Sequence, residues 1–530
     1  MSSFLDLIAL TLGLALVGLL YKSRSKTAYP LPPGPRRLPI IGNMLDMPKR
    51  NEWATYRKWG KDHGSDIIHL EVLGTHLIIL NSEKAANDLL NKRSSIYSDR
   101  PKMAVIVRLG WSLGFVPYGQ RWRDMRKAFH QYFHPTATLQ YHPIEERATV
   151  ELLKRLLDTP EDFIEHLRHM TGRIILEITY GIKVQPHGDP YIDAAERALE
   201  GKAFGSTTRA GLYDILPFLQ RVPAWVPGNG FIREAKKWTQ YCLQAPEGAY
   251  HYVKEGIANG TAGPSVVASM IKKNEYKQSN YDEEIAKYTA GSMYLGNLHS
   301  SWSSQQTLTP LRSVKGGADT TMSALGTFFL AMVLHPEVQR KAQAEIDAVI
   351  GNDRLPNFED ENSLPYVNAV VKEVLRWRPV VTLVPADLAV LPHRLISDDV
   401  YKGYHIPAGS IVIGNAGAML HDELTFPEAD KFKPEHFLDT SSKFPEVAFG
   451  FGRRICPGRY MARGSIWIAI ASILATLDIS KAVDKDGKVI ELIDEYSSGV
   501  ISYPAPFRCA IKPRSPEAEE LIRRPETADQ

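Results

Sequence analysis

Apolar and polar positions follow several different periods along this chain, and each change of period marks an element. Residues 4–21 are apolar except for Asp6 and small residues, a run near the lower limit of a membrane span. Residues 66–80 read as two short strands around Gly74, and residues 82–90 as a helix capped by Ser82. Another helix opens at Trp122, and Trp122 and Arg126, four apart, share one of its faces. Residues 145–260 are mostly helical by period. Pro217, Pro223 and Pro227 interrupt them in a loop at 214–228, where Leu216, Phe218, Val222, Trp225 and Val226 suit a membrane-dipping surface or plain core packing. Residues 282–295 and 317–334 are helical stretches. Between them, residues 297–316 hold Ser, Gln, Thr and Pro310 with no apolar period, which is loop chemistry. A helix begun near Leu364-Pro365 carries Glu373 and Arg376, residues 404–413 form a turn and a strand, and residues 461–477 form an apolar helix. Beyond about Pro513 the chain is charged, and a flexible tail is expected at 513–530.

Composition narrows the class. A content of 44% hydrophobic and 23% charged residues suits a folded globular body. The net charge of +3, with no basic stripe interleaved with aromatics, gives no reason to expect nucleic acid as a partner. Cys242, Cys456 and Cys509 are too few and too odd in number for a disulfide framework. They fit a reducing compartment with one cysteine reserved for chemistry. The N-terminal run has no positive charge before it and no clear cleavage site after it, whereas Lys22, Arg24 and Lys26 follow it. The pattern predicts an uncleaved anchor at 1–21 with the remainder in the cytosol, a signal peptide or a loosely inserted helix being the other readings. A basic and proline-rich hinge at 22–40 follows, and its Tyr29-Pro-Leu-Pro-Pro-Gly-Pro35 is stiff because proline fixes φ.

The candidate chemistry lies at residues 449–458, Phe-Gly-Phe-Gly-Arg-Arg-Ile-Cys-Pro-Gly. One cysteine sits in a glycine-bounded loop with Arg453 and Arg454 before it and a helix after it. Positive charge or a metal holds a thiolate deprotonated, glycine lets backbone approach a flat ligand, and a helix N-terminus adds partial positive charge. A thiolate-ligated haem iron meets all three conditions; a buried cysteine in a Gly-rich turn is the plain alternative.

Phe449, Gly452, Arg454, Cys456 and Gly458 match every fixed position of the haem-binding signature of the cytochrome P-450 family, and the chain resembles that family over residues 1 to about 512. The resemblance implies a mainly α fold with small β-sheets (α+β), in which residues 41–512 form one haem domain. It implies that Trp122 and Arg126 reach the haem propionates, as arginine's forked donors suit carboxylates. His393 is a candidate propionate partner or a plain loop histidine. Glu373 and Arg376 match the ExxR motif, which in the family is buried and locks the fold around the haem loop. Pro434-Glu435-His436-Phe437 stands where the family has PERF. His436 replaces an arginine with fewer donors and a titratable charge, and a weaker but intact network is expected.

In the family the stretches 282–295 and 317–334 form one long helix. Removing residues 297–316 restores the family's glycine-glycine-x-acid-threonine-threonine run, and these 20 residues are compatible with a translated intron, the alternative being a surface loop. The link at 384–390 is also several residues longer than the family's. Asp319 and Thr320 match the family's acid–threonine pair, which delivers protons to bound dioxygen; a threonine bonding back to a helix carbonyl is the structural alternative for Thr320. Residues 498–501 are expected to reach the substrate pocket.

The resemblance further implies a haem b monooxygenase that uses O2 as co-substrate and takes electrons from NADPH through NADPH-cytochrome P-450 reductase, with cytochrome b5 as a second candidate donor. Its substrate would be an apolar small molecule. Its place would be the endoplasmic reticulum membrane, single-pass, with the catalytic domain facing the cytosol. Its segments also resemble fungal, especially basidiomycete, members that tailor secondary metabolites. Two readings compete: a reductase-independent isomerase, dehydratase or peroxide user, and a non-catalytic haem-binding membrane protein in which residues 297–316 are retained.

Overall fold

The computed structural model describes residues 28–48, 50–101, 110–205, 222, 226, 230–274, 279–297, 320–381, 392–439, 443–492, 494–496 and 501–524. The expected anchor at 1–21, the inserted segment apart from Asn297, the 384–390 link and nearly all of 214–228 lie outside these residues. Among the described residues no single helix is long and apolar enough to cross a membrane.

Helices dominate. In chain order they include α1 (Glu52–Asp62), α2 (Gln120–Phe133), α3 (His142–Asp158), α4 (Phe163–Tyr180), α5 (Pro190–Gly205), α6 (Gly230–Ala258), α7 (Val266–Asn274), α8 (Asn280–Asn297), α9 (Thr320–Leu334), α10 (Pro336–Val349), α11 (Pro365–Trp377), α12 (Arg459–Thr476) and α13 (Pro516–Arg523). Helix α9 is apolar all round and buried from Thr321 to Val333, as expected of a helix wrapped on every side. Helices α4, α10, α11 and α12 pack around it. The core therefore sits between α9 and α12, and α12 begins three residues after Cys456.

The strands are β1 (Ile67–Val72), β2 (Thr75–Leu80), β3 (His393–Arg394), β4 (Asp399–Tyr401), β5 (Tyr404–Ile406), β6 (Ile411–Gly414), β7 (Leu477–Lys481) and β8 (Cys509–Pro513). β1 and β2 form the expected hairpin, turning through Leu73 (φ 48°) and Gly74 (φ 83°). Two residues with positive φ match the twist of a tight hairpin. The larger sheet has the order β1-β2-β6-β3, with β6 parallel to β2 and antiparallel to β3. The β3–β6 pairing sets His393 opposite Val412.

Two expectations change. Residues 82–90 begin as the Ser82-capped helix, Ser82 Oγ accepting the Ala85 N–H at 3.0 Å, but widen into a π-helical turn at Asn87–Lys92. The tail expected to be flexible instead forms α13, capped by the Ser515 side chain. Its Ile522 is fully buried where α13 meets α3 and α12, so one apolar contact holds a segment that looks solvated by composition.

Where α3 meets α12, the Ser465 hydroxyl donates to Glu145 Oε1 at 2.5 Å in a site closed to water. Burial pushes the Glu145 carboxyl up to about 8, nearby Glu146 adds to the rise, and the Ser465 bond opposes it. The folded state thus binds more protons than the unfolded one between about pH 4.5 and 8. This contribution to stability is complete below that window and is lost as pH rises through it, at about 1.4 kcal/mol per unit of pKa difference. Glu145→Gln should flatten the decline in melting temperature between these limits; an unchanged slope would contradict the assignment.

Candidate functional site

The cysteine loop is built by local hydrogen bonds. Two 3-10 turns, Glu446–Phe449 and Gly452–Arg454, lead into it. The Ile455 N–H donates to the Gly452 carbonyl at 3.1 Å and the Cys456 N–H to the Phe449 carbonyl at 2.9 Å. Gly452 has φ 57°, and a Cβ there would lie 2.0 Å from the Leu90 carbonyl oxygen. Only glycine fits a left-handed position pressed this closely on backbone. Gly452→Ala should cost about 2 kcal/mol or more by denaturant unfolding; a loss within error of zero would show that the contact is slack.

Cys456 opens onto a cavity of about 300 Å³. Burial pushes its thiol up, while the Gly458 N–H and the positive charges of Arg126 and Arg459 pull it down. Helix α12 starts at Arg459, so its N-terminus lies beside the sulfur, and the Arg459 guanidinium donates to the Cys456 carbonyl at 3.1 Å. Phe449 and Gly458 also line the cavity.

A second wall is cationic. Trp122 and Arg126 reach it from α2, and the Arg454 guanidinium stacks on the Trp122 ring at 4.8 Å. Arg454 donates to the carbonyls of Ser98 (2.8 Å), Leu113 (3.2 Å) and Val116 (2.8 Å). Burial, with Arg100 and Arg126 nearby, lowers its guanidinium to about 8. Arg100 is buried, donating to the Gly114 and Pro392 carbonyls at 2.9 and 2.8 Å. His393 Nδ1 lies 2.7 Å from the Tyr97 carbonyl. Burial, then the Arg100 charge, lowers its imidazole to about 3, so His393 is neutral here. Arg126 makes no hydrogen bond or ion pair among the described residues, and burial lowers it to about 10. A partly buried cation without a partner is costly unless an anion joins it.

The remaining lining is mostly apolar, including Phe115, Ile175, Met293, Val380 and Ile501, with Thr320 and Thr321 at the start of α9 among the few hydroxyls. Asp319 lies outside the described residues.

Glu373, Arg376 and His436 stand away from the cavity and hold α11 to residues 420–436. Glu373 and Arg376 are fully buried and joined by two hydrogen bonds of 2.7 and 2.8 Å. Arg376 also donates to the carbonyls of Leu420, Ala429 and Lys431 at 2.8, 2.9 and 3.0 Å. Glu373 further accepts the Lys433 N–H at 2.7 Å. His436 Nδ1 lies 3.3 Å from both Glu373 oxygens, and its Nε2 lies 2.7 Å from the Pro427 carbonyl. The histidine thus reaches Glu373 and the Pro427 carbonyl with one ring nitrogen each.

The structure brings Cys456, Phe449, Gly458, Arg454, Trp122, Arg126, His393 and Thr320 onto one cavity. Gly452 shapes the loop from behind. Arg100 escaped the sequence reading; an arginine directly before a proline at 101 is its only signal, and no spacing rule makes that specific.

The residues fit haem. A cysteine on the cavity lining would suit an iron ligand, a guanidinium there that is unpaired among the described residues would suit a carboxylate, and apolar walls would suit a porphyrin. A cavity of this make defines a haem-thiolate protein. Residues 32–493 match the cytochrome P-450 family, and the chain belongs to it. It is 43% identical over 522 residues to cytochrome P-450 monooxygenase ple1 of Rhodocybe pseudopiperita, covering 96% of this chain and 95% of that one. It is 42% identical over 528 residues to cytochrome P-450 monooxygenase 208 of Postia placenta, covering 98% and 97%. It is 36% identical over 527 residues to tryptamine 4-monooxygenase of Psilocybe cyanescens, covering 96% and 99%. The chain is accordingly a haem monooxygenase of the fungal type, an oxidoreductase that uses dioxygen and reductase-derived electrons.

Proposed function

We propose that this chain inserts one oxygen atom of O2 into an apolar small molecule of fungal secondary metabolism. It works on haem b, and its electrons pass from NADPH through NADPH-cytochrome P-450 reductase, cytochrome b5 being a second donor of the same kind. It is anchored by residues 1–21 in the endoplasmic reticulum membrane as a single-pass protein, with the catalytic domain in the cytosol. The observation that carries the chemical reading is the half-buried Cys456 on a mostly apolar cavity that Arg126, unpaired among the described residues, also lines. The anchoring reading rests on the apolar run at 4–21 and the basic residues after it.

Bound haem supplies dioxygen activation and oxygen transfer. Cys456 would hold the iron as a thiolate, aided by the Gly458 N–H and the charges of Arg126 and Arg459. Arg126 would take a propionate carboxylate through its forked donors, with Trp122, Arg100, Arg454 and His393 on the same cavity. Arg454 ties the Ser98, Leu113 and Val116 carbonyls to the cysteine loop. The apolar wall excludes water and orients an uncharged substrate. The Thr320 hydroxyl, with Asp319 beside it in sequence, would hold and relay protons into the cavity.

The test reconstitutes the full chain with an NADPH-dependent flavoprotein reductase and screens apolar metabolites under isotopically heavy dioxygen. The reading requires reductase-dependent NADPH consumption and one heavy oxygen atom per product. Label-free product, or turnover without reductase, would contradict it.

A further inference from the structure

Helix α12 lines the cavity with Met461, Ala462 and Ile466. An adjoining face of the same turns carries Gly464 and Ser465, with Ser465 one turn beyond Met461. That face meets a buried acid of α3. The Ser465 hydroxyl donates to Glu145 Oε1 at 2.5 Å. A Cβ at Gly464 would lie 3.4 Å from Glu145 Oε2 and 3.4 Å from the Phe358 ring, so glycine leaves just enough room for the carboxyl. His142 of α3 stacks on that ring at 3.6 Å.

Among the described residues no cation pairs with Glu145. Arg147 on α3 turns to Glu177 at 2.9 Å, and Arg463 on α12 turns to Glu446 at 3.6 Å. Glu146 accepts the Phe358 N–H at 3.4 Å, and Glu359 of the turn that follows acts on Glu146. The charged neighbour that acts on Glu145 is Glu146, and its sign opposes ionisation. An apolar side chain would fill a water-free site at less cost than a carboxyl. Packing alone therefore gives no reason for an acid beside the cavity-lining turns.

We propose that Glu145 is a positioning residue for the oxygenase: as an uncharged acid bonded to Ser465, it holds the cavity-lining turns of α12 in place and keeps negative charge away from the haem that Cys456 would bind. The proposal rests on the haem-thiolate reading of Cys456. Cys456 lies three residues before α12, and Arg459 at the start of that helix donates to the Cys456 carbonyl at 3.1 Å. A displacement of these turns therefore reaches the cysteine loop through a rigid element. Burial keeps the Glu145 proton in place up to about pH 8. Once it leaves, a charge stands in a site with no water to solvate it, and α12 must draw back to admit some. The same charge beside the cavity opposes the addition of an electron to the iron.

The test uses the full, haem-loaded chain in detergent on both sides of about pH 8. Two quantities are read: amide hydrogen exchange of residues 459–470, corrected for its intrinsic pH dependence, and the haem reduction potential. As pH rises through about 8, the parent's exchange should rise about fivefold or more and its potential should step downward. Glu145→Gln keeps an acceptor for Ser465 and cannot ionise, so it should lose both steps. Ser465→Ala keeps the acid and removes the bond, so its exchange should be about fivefold faster already at neutral pH. Matching profiles in the parent and Glu145→Gln overturn the proposal. So does a step in exchange without one in potential, which is what a structural contact alone gives. Absence of either step from the parent overturns it without recourse to a variant. A reduced carbon monoxide complex with no thiolate band overturns the reading of Cys456 as well; a thiolate band with the parent's steps missing overturns this proposal alone.

Discussion

Arg376→Met should leave little folded, haem-retaining protein. The variant removes every donor that Arg376 supplies to Glu373 and to the Leu420, Ala429 and Lys431 carbonyls, at a site with no water contact. Glu373 would keep only the Lys433 N–H and the long contacts to His436. Breaking one half of a buried pair costs about 3–5 kcal/mol, because the other charge stays buried. A domain is stable by only about 5–15 kcal/mol, so this is a large share of the whole. Adding Glu373→Gln to Arg376→Met should recover part of the loss, since the leftover group is then neutral. Urea midpoints of the three proteins, read beside bound haem, measure both effects. A single variant within about 1 kcal/mol of the parent would show that the pair is not what holds α11 to residues 420–436.

Cys456→Ser should separate fold from function. Oxygen for sulfur changes little in volume, and the loop is set by the Gly452, Phe449 and Cys456 backbone bonds, none of which uses the thiol. The melting temperature of the haem-free chain should therefore stay close to the parent's. Haem should still enter, because Arg126 and the apolar walls remain. Product formation should fall to background, since a hydroxyl does not give the iron the electron density that a thiolate gives. Turnover above a tenth of the parent would place the iron ligand elsewhere.

The parts of this site legible in the sequence are those written in local spacing. The hairpin at Gly74, the pairing of Glu373 with Arg376 three apart, and the glycine-bounded cysteine loop all follow from residues near one another in the chain. The illegible parts arise where distant segments meet. Arg100 turns to the cavity because the Gly114 and Pro392 carbonyls hold its guanidinium there, 14 and 292 residues away in sequence. Glu145 reads as one more acid on an amphipathic helix, and only α12 laid over it closes it from water. Residues 516–523 read as a solvated tail because a single isoleucine, Ile522, does the docking. The π-helical turn after Ala86 has no sequence period of its own; it lies where Gly452 presses on the Leu90 carbonyl. The family resemblance supplied roles for Trp122, Arg126 and Thr320, and the structure supplied the cavity on which these side chains meet.

The central claim is that Cys456 presents a thiolate to a haem iron in a working oxygenase. The absorption spectrum of the purified, reduced chain under carbon monoxide tests it most directly. The structure predicts the strongly red-shifted band that only thiolate ligation gives, present in the parent and absent in Cys456→Ser. A band at the position of histidine-ligated haem in the parent, or no haem spectrum from a folded chain, would contradict it.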